Sequence, residues 1–243
     1  MKAHLAAERR RLPHARILFV RRAERRAVDG LVAFVARSTP PGRALRRLEL
    51  GQYEDLLELD LEQAGETVEH PLFLVCTHGK HDRCCARFGR PLYEAVREQV
   101  EDTWVWQSSH IGGDRFAGNL VALPDGVYYG RVDPGEAWAV VEAALDRRVH
   151  LPSYRGRSCD GFVAQAAELA VRERVGLLGV DDVQVDGVER SGAGWSAVVE
   201  AGGAAYDVDV SLEESEATHL TCSSDRLRRP KHFVAGTPRV RAA

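Results

Sequence analysis

The distribution of apolar and polar residues along the chain predicts a mixture of buried strands and amphipathic helices. Residues 71–75 form an uninterrupted apolar run, which is typical of a fully buried strand, and Cys76 follows at its end. Two shorter apolar runs, 17–20 and 104–106, predict further buried strands. Residues 57–61 alternate leucine with acidic residues, which is the period of a half-exposed strand.

Two helices and a hairpin are predicted between residues 90 and 148. Arg90-Pro91 predicts the start of the first helix because proline fits a first helical turn. The turn Pro124-Asp125-Gly126 separates two apolar segments and indicates a hairpin. Asp133-Pro134-Gly135-Glu136 combines an N-cap, a first-turn proline and a capping-box glutamate, so a second helix follows it. The resulting order over residues 71–148 is that of a thioredoxin-like sandwich in the α/β (α+β) class.

The rest of the chain predicts a helix over 162–178 and then a three-stranded antiparallel meander over 183–190, 195–200 and 206–210, with glycines between the strands. The basic, proline-marked tail from Arg226 predicts irregular structure. We therefore expect three regions: an N-terminal extension packing on the core (1–67), the thioredoxin-like domain (68–150), and a C-terminal helix and β-meander (151–243).

Composition narrows the classes of function. The chain has 243 residues with 44% hydrophobic content, which suffices for a sizeable core. No apolar run approaches 18 residues and no signal-peptide pattern follows the early arginines, so we expect a cytoplasmic protein without a membrane partner. Residues 1–50 carry a net charge of +9, but no aromatic residues interleave with these arginines, so we expect no nucleic-acid partner. Five cysteines, an odd number, argue against a full disulfide framework.

The candidate chemistry lies in two loops that follow buried strands. Cys76 and Cys85 are separated by eight residues, and His110 opens a glycine-containing turn, His110-Ile-Gly-Gly-Asp114. Thiolate and imidazole are ligands of zinc and of iron–sulfur clusters. The gap between the thiols is wide for a zinc knuckle and suits a loop around a larger group, such as a two-iron cluster. The alternatives are a core thiol at Cys76 and a structural imidazole at His110.

These residues belong to a longer motif that resembles the sucrase/ferredoxin-like family, whose members are thioredoxin-like [2Fe-2S] ferredoxins. The motif runs through Cys76-Thr-His-Gly, Asp82-x-Cys84-Cys85-Ala86, Gly89-Arg90-Pro91-Leu92, Arg115-Phe116-Ala117-x-Asn119 and Tyr129-Gly130-Arg131, and further matches occur at Arg155-Gly-Arg-Ser158 and Leu220-Thr-Cys222. The resemblance covers about residues 70–225. It implies that Cys76, Cys85 and His110 bind a [2Fe-2S] cluster.

The resemblance leaves the fourth ligand open, because some members of the family place a second histidine where this chain has Asp114. We expect the Asp114 carboxylate to be the fourth ligand. Cys84, Cys222 and His78 are the alternatives, while Cys159 and Cys222 otherwise count as structural cysteines.

Three functions follow from these observations. The first is an electron carrier, more a partner of enzymes than an enzyme, that exchanges electrons with a reductase or oxidase. No G-x-G-x-x-G fingerprint follows a strand, so a flavin or nicotinamide would belong to that redox partner. The second is a thioredoxin-like thiol redox protein, which Arg83 beside Cys84 supports, although a Cys-x-x-Cys motif is missing. The third is a zinc-binding module.

Overall fold

A computed structural model describes residues 15–22, 31–57, 59–60, 63–222 and 224–242, and the side chain of Asp114 lies outside this description. The helices are α1 (Arg83–Arg97), α2 (Ala137–Leu145) and α3 (Phe162–Val175). The strands are β1 (Val20–Arg21), β2 (Leu31–Arg37), β3 (Ala44–Leu50), β4 (Glu66–Thr67), β5 (Leu72–Cys76), β6 (Val105–Ser108), β7 (Leu120–Leu123), β8 (Val127–Tyr129), β9 (Tyr154–Arg157), β10 (Val183–Ser191), β11 (Gly194–Ala201), β12 (Ala204–Glu214), β13 (Thr218–His219), β14 (Leu227–Arg228), β15 (Lys231–Ala235) and β16 (Arg239–Val240).

The central sheet has the strand order β1-β6-β5-β7-β8-β9. β5 and β6 are parallel neighbours joined by α1, whereas β7 and β8 form an antiparallel hairpin beside β5, and α2 follows that hairpin. A βαβ unit beside a ββα unit in one mixed sheet is the thioredoxin-like arrangement. The predicted fold class is therefore confirmed.

Both faces of β5 are buried, which explains its unbroken apolar run. Phe73 and Val75 pack with α1 and α2 in one core cluster, whereas Leu72, Leu74 and Cys76 face the opposite side. That second side is covered by the antiparallel hairpin of β2 and β3, which contributes Leu45 and Phe34 to the core. Because side chains alternate along a strand, Cys76 lies on the hairpin side of the sheet.

The C-terminal part packs α3 on a second sheet with the order β10-β11-β12-β15, and β16 also pairs with β12. The predicted meander is thus confirmed, with a β-bulge in β10 between Val185 and Gly187. The prediction of an irregular tail is wrong, because β15 and β16 complete this sheet.

Three other local predictions are corrected. α1 begins at Arg83 and not at Arg90, because the carboxylate of Asp82 caps the helix and Pro91 lies inside it. The strand expected over residues 57–61 is not formed by its described residues, because Leu57 ends a 3-10 helix (Tyr53–Leu57) and residues 59–60 are not in a strand; residues 58 and 61 lie outside the described chain. The run 17–20 yields only the short strand β1, with Phe19 66% exposed.

The division into three regions stays a prediction. The central sheet continues past residue 150, because β9 pairs with β8.

Candidate metal centre

Three of the predicted ligands meet at one edge of the central sheet. Cys76 is the last residue of β5, Cys85 lies in the first turn of α1, and His110 follows β6 by two residues. Their ligand atoms, two Sγ and one imidazole nitrogen, all lie within 4.8 Å of one another. The Sγ of Cys85 lies 4.0 Å from Nδ1 of His110. Both cysteines are 1% exposed, so the two thiols face the protein interior, whereas His110 is half-buried.

The topology explains why residues 34 positions apart in sequence converge. β5 and β6 are adjacent and parallel, with Cys76 paired to Ser108, so their carboxyl ends lie side by side. α1 starts above the same edge and packs tightly on β5. A Cβ at Gly89 would collide with the carbonyl oxygen of Cys76, so only glycine allows this approach.

The loop after His110 depends on its two glycines, as the sequence suggested. Gly112 and Gly113 have φ values of +100° and +76°, which L side chains rarely adopt. The side-chain amide of Asn119 donates to the carbonyl of Gly113 at 2.9 Å and holds the turn against β7. Asp114 follows in a 3-10 turn. The predicted ligand is its carboxylate, and that side chain lies outside the described part of the chain, so its ligand role stays a prediction.

Two further imidazoles surround His110. The backbone N–H of His110 donates to Nδ1 of His78 at 3.2 Å, so His78 positions the loop. The ring of His81 stacks on that of His110 with centroids 3.9 Å apart. Sequence reasoning missed His81, although its spacing of three from His78 was visible.

The surroundings favour a thiolate at Cys76. Its pKa is lowered to about 5, first by the hydrogen bond with Cys85 and then by the backbone N–H groups of His78 and Ile111 and by His110, which together outweigh the cost of burial. A thiolate is the form of cysteine that binds metals.

A group of arginines lies beside the His110 loop. The guanidinium carbons of Arg115, Arg131 and Arg155 lie 4.7, 5.1 and 4.3 Å from the ring centroid of Phe116. Burial lowers the pKa of Arg115 and of Arg155, and the neighbouring arginines lower both further. The guanidinium of Arg155 lies beside Gly113, so this group places positive charge along the loop that follows His110.

Two of the alternative ligands are bound to each other. Cys84 and Cys222 form a disulfide, with Cα atoms 5.6 Å apart. The disulfide engages two of the three alternative ligands, and it gives Cys222 a partner that is distant in sequence. The two cysteines are 138 residues apart in sequence, so no local spacing predicts their pairing. Cys159 is a free, partly buried cysteine and is not part of this donor set.

The donor set suits a metal group. Two buried thiols and an imidazole in mutual reach are the ligand types of iron–sulfur clusters and of zinc, and hard cations such as magnesium prefer oxygen. The structure therefore contains a Cys/His grouping that can hold a metal.

The fold and this grouping define a thioredoxin-like protein with a buried two-thiol, one-imidazole centre. The sucrase/ferredoxin-like family model matches residues 10–156, and the chain belongs to that family.

Similar proteins include the "Altered inheritance of mitochondria protein 32" of Meyerozyma guilliermondii, which is 27% identical over 152 residues, 56% of this chain and 54% of that protein. The protein of the same name from Eremothecium gossypii is 28% identical over 106 residues, 38% of this chain and 34% of that protein. The chain thus spans about half or less of the length of these curated relatives. A solved structure described as a thioredoxin-like [2Fe-2S] ferredoxin from Aquifex aeolicus is 22% identical, with a TM-score of 0.33, and covers 37% of this chain and 94% of that one.

None of the helices in the described residues has the length and apolar character needed to cross a bilayer.

Proposed function

We propose that the protein binds a [2Fe-2S] cluster through Cys76, Cys85 and His110 and transfers single electrons. The observation that carries this proposal is the convergence of two buried thiols and one imidazole within 4.8 Å at the carboxyl edge of β5 and β6. A bound cluster would supply one-electron redox chemistry. The chain's own contribution is to orient the ligands, exclude water and set the local charge.

The roles of the surrounding residues follow from their contacts. His78 holds the backbone of His110, and Gly89 lets α1 bring Cys85 next to Cys76. The positive charge of the arginines around Phe116 favours a more negatively charged centre, so it supports the reduced state. One imidazole in place of a thiolate acts in the same direction, because it leaves less negative charge on the centre.

The fourth ligand is proposed to be Asp114. In the oxidised protein Cys84 and Cys222 are engaged in a disulfide, and Nδ1 of His78 accepts a hydrogen bond from His110. Both observations favour Asp114 over these alternatives.

The decisive experiment compares purified wild-type protein with Cys85→Ser under anaerobic conditions. We expect wild type to contain iron and acid-labile sulfide, with visible absorption and a paramagnetic signal after reduction, and Cys85→Ser to lose most of each. Cys159→Ser is the matched control, because Cys159 is a partly buried cysteine away from the centre. It should keep its iron.

The competing zinc function predicts a different result. One zinc ion per chain, without iron or sulfide in anaerobically prepared protein, would overturn the cluster proposal and favour a zinc module. Asp114→Ala tests the fourth ligand separately: we expect a less stable cluster with a shifted spectrum, and an unchanged spectrum would remove Asp114 from the ligand set.

We further propose a reductase or oxidase as the redox partner, since the chain carries no dinucleotide fingerprint of its own. The cytoplasmic location stays a prediction.

A further inference from the structure

The disulfide between Cys84 and Cys222 joins two distant parts of the protein. Cys84 lies in the first turn of α1, one residue before the proposed ligand Cys85, whereas Cys222 follows the short strand β13. The two cysteines differ in exposure, because Cys84 is only 9% exposed and Cys222 is exposed. A reagent in solution can therefore reach the bond from the Cys222 side.

A buried carboxylate lies beside this disulfide. Asp82 is 1% exposed, and its Oδ1 accepts a hydrogen bond from the backbone N–H of Cys84 at 2.7 Å. Its second oxygen, Oδ2, has no hydrogen-bond partner among the described residues. A carboxylate oxygen and the two sulfurs lie within 4.8 Å of one another. Burying an unpartnered carboxylate oxygen is costly, so its position beside the two sulfurs suggests a use there.

We propose that Cys84–Cys222 is a second redox centre, a disulfide that exchanges with dithiols, with Asp82 as its proton carrier. This activity is distinct from electron transfer by a cluster, because it moves two electrons and needs no metal. The disulfide also ties the β13–β14 segment to the helical turn that holds Cys85. Its redox state thus decides whether that segment is covalently fixed next to the proposed metal centre.

The exchange proceeds in two balanced steps. A thiolate of the dithiol attacks Sγ of Cys222, and the bond to Cys84 breaks with its electron pair on Sγ of Cys84, which takes a proton. The second thiol of the dithiol then attacks the dithiol sulfur that is bonded to Cys222. This releases the Cys222 thiolate, which is protonated in turn. Both hydrogens of the dithiol end on Cys84 and Cys222, and the dithiol leaves as a disulfide.

The test uses the full chain purified without reductant, alkylated under denaturing conditions and mapped by mass spectrometry. We expect Cys84 and Cys222 to be cross-linked while Cys76, Cys85 and Cys159 take the label. Incubating the folded protein with reduced and oxidised dithiothreitol in varied ratio should then open and close this one bond reversibly. Alkylation of both Cys84 and Cys222 in the oxidised protein, or a bond that opens only on unfolding, would overturn the proposal.

Variants separate the roles of the residues. Cys222→Ser should abolish the cross-link, and Cys159→Ser should leave it intact. Asp82→Asn keeps a capping side chain on α1, so the helix should stay folded. Because an amide cannot carry the proton, reduction of the disulfide should be about tenfold slower or more. An unchanged rate in Asp82→Asn would remove Asp82 from the mechanism.

Iron content measured in the same samples separates the test of this proposal from the test of the [2Fe-2S] cluster. A reversible disulfide in iron-free protein would uphold the inference even if the proposed electron-transfer function fails. The wild-type map remains decisive if a cysteine variant does not fold.

Discussion

At the scale of single residues, the proposed metal centre depends on positions outside the proposed ligand set. Gly89 is not a ligand, yet its missing side chain sets the distance between α1 and β5 and therefore between Cys85 and Cys76. His78 likewise acts through the backbone of His110. The sequence supplied the ligand types, but these supporting contacts depend on how closely the helix approaches the strand.

Replacing Gly89 by alanine tests this dependence. The gain in helix propensity is about 1 kcal/mol, but the new methyl group would overlap a backbone carbonyl that cannot rotate away. We expect a net loss of about 1–3 kcal/mol in the free energy of unfolding, measured in urea. Gly187→Ala is the control, because nothing lies within 4 Å of a Cβ placed there. Equal stabilities for the two variants would contradict a tight contact at Gly89.

At the scale of elements, α3 is joined to its surroundings by a buried ion pair. Arg172 and Glu168 are 0% and 1% exposed and lie one helical turn apart, with Nη2 and Oε1 2.9 Å apart. Arg172 also donates to the carbonyls of Leu177, Gly179 and Val180 beyond the helix, and the hydroxyl of Tyr154 donates to Glu168 at 2.8 Å. Burial raises the pKa of Glu168, which Arg172 and Tyr154 oppose. This network connects α3 to β9 and to the segment before β10.

Replacing Arg172 by methionine should cost about 3–5 kcal/mol in thermal or urea unfolding, because it leaves Glu168 buried without its partner. Adding Glu168→Leu should restore only part of this loss, since the hydrogen bonds from Arg172 to the carbonyls of Leu177, Gly179 and Val180 are still missing. Arg174→Met, at an exposed position of the same helix, should change stability by less than about 0.5 kcal/mol. Full recovery in the double variant would show that the carbonyl contacts contribute nothing.

Elements with local signals could be predicted from sequence, and elements made by distant contacts could not. The capping box of Asp133 and Glu136 is present as predicted, and the apolar run ending at Cys76 is a buried strand. Cys76, Cys85 and His110 were identifiable by residue type and do converge. By contrast, β15 and β16 exist because β12 offers an edge for pairing, and Cys84 meets Cys222 only through the folded chain. The helix start predicted at Arg90-Pro91 is wrong because the helix is already capped at Asp82.

At the scale of the whole molecule, a network of four charges links four separate segments of the chain. Arg43, just before β3, pairs with Asp181, just before β10, and with Asp125 in the turn between β7 and β8. Arg147, after α2, bonds the same two carboxylates at 2.9 and 3.2 Å. The hydrogen bond with Arg43, aided by the charges of Arg43 and Arg147, lowers the pKa of Asp181 to about 2.

This network predicts a pH-dependent stability. A carboxyl group whose pKa is lower in the folded state stabilises the fold above its unfolded pKa of about 3.9, and that contribution disappears as the pH falls toward 2. Asp181→Asn should therefore be less stable than wild type at pH 7, and the difference should vanish in chemical unfolding near pH 2. The effect should be modest, because the Asp181 side chain is 43% exposed.

Asp209→Asn is the control for this prediction. Asp209 pairs only with Arg239 within the described residues, and both side chains are about 60% exposed. Its replacement should change stability less than that of Asp181. If the difference in unfolding free energy between wild type and Asp181→Asn were as large at pH 2 as at pH 7, the charge network would be excluded as its cause.

The bulge in β10 has a consequence for how copies of this protein meet. β10 is an outer strand of the second sheet, and its free edge could template intermolecular strand addition. The extra residue between Val185 and Gly187 breaks the regular row of amides and carbonyls, and Asp186, Glu189 and Arg190 place charges along the same strand. Such an edge is a poor template for a neighbouring chain, so the β10 side of this sheet is protected against fibril-like strand addition even though the face packed on α3 is apolar.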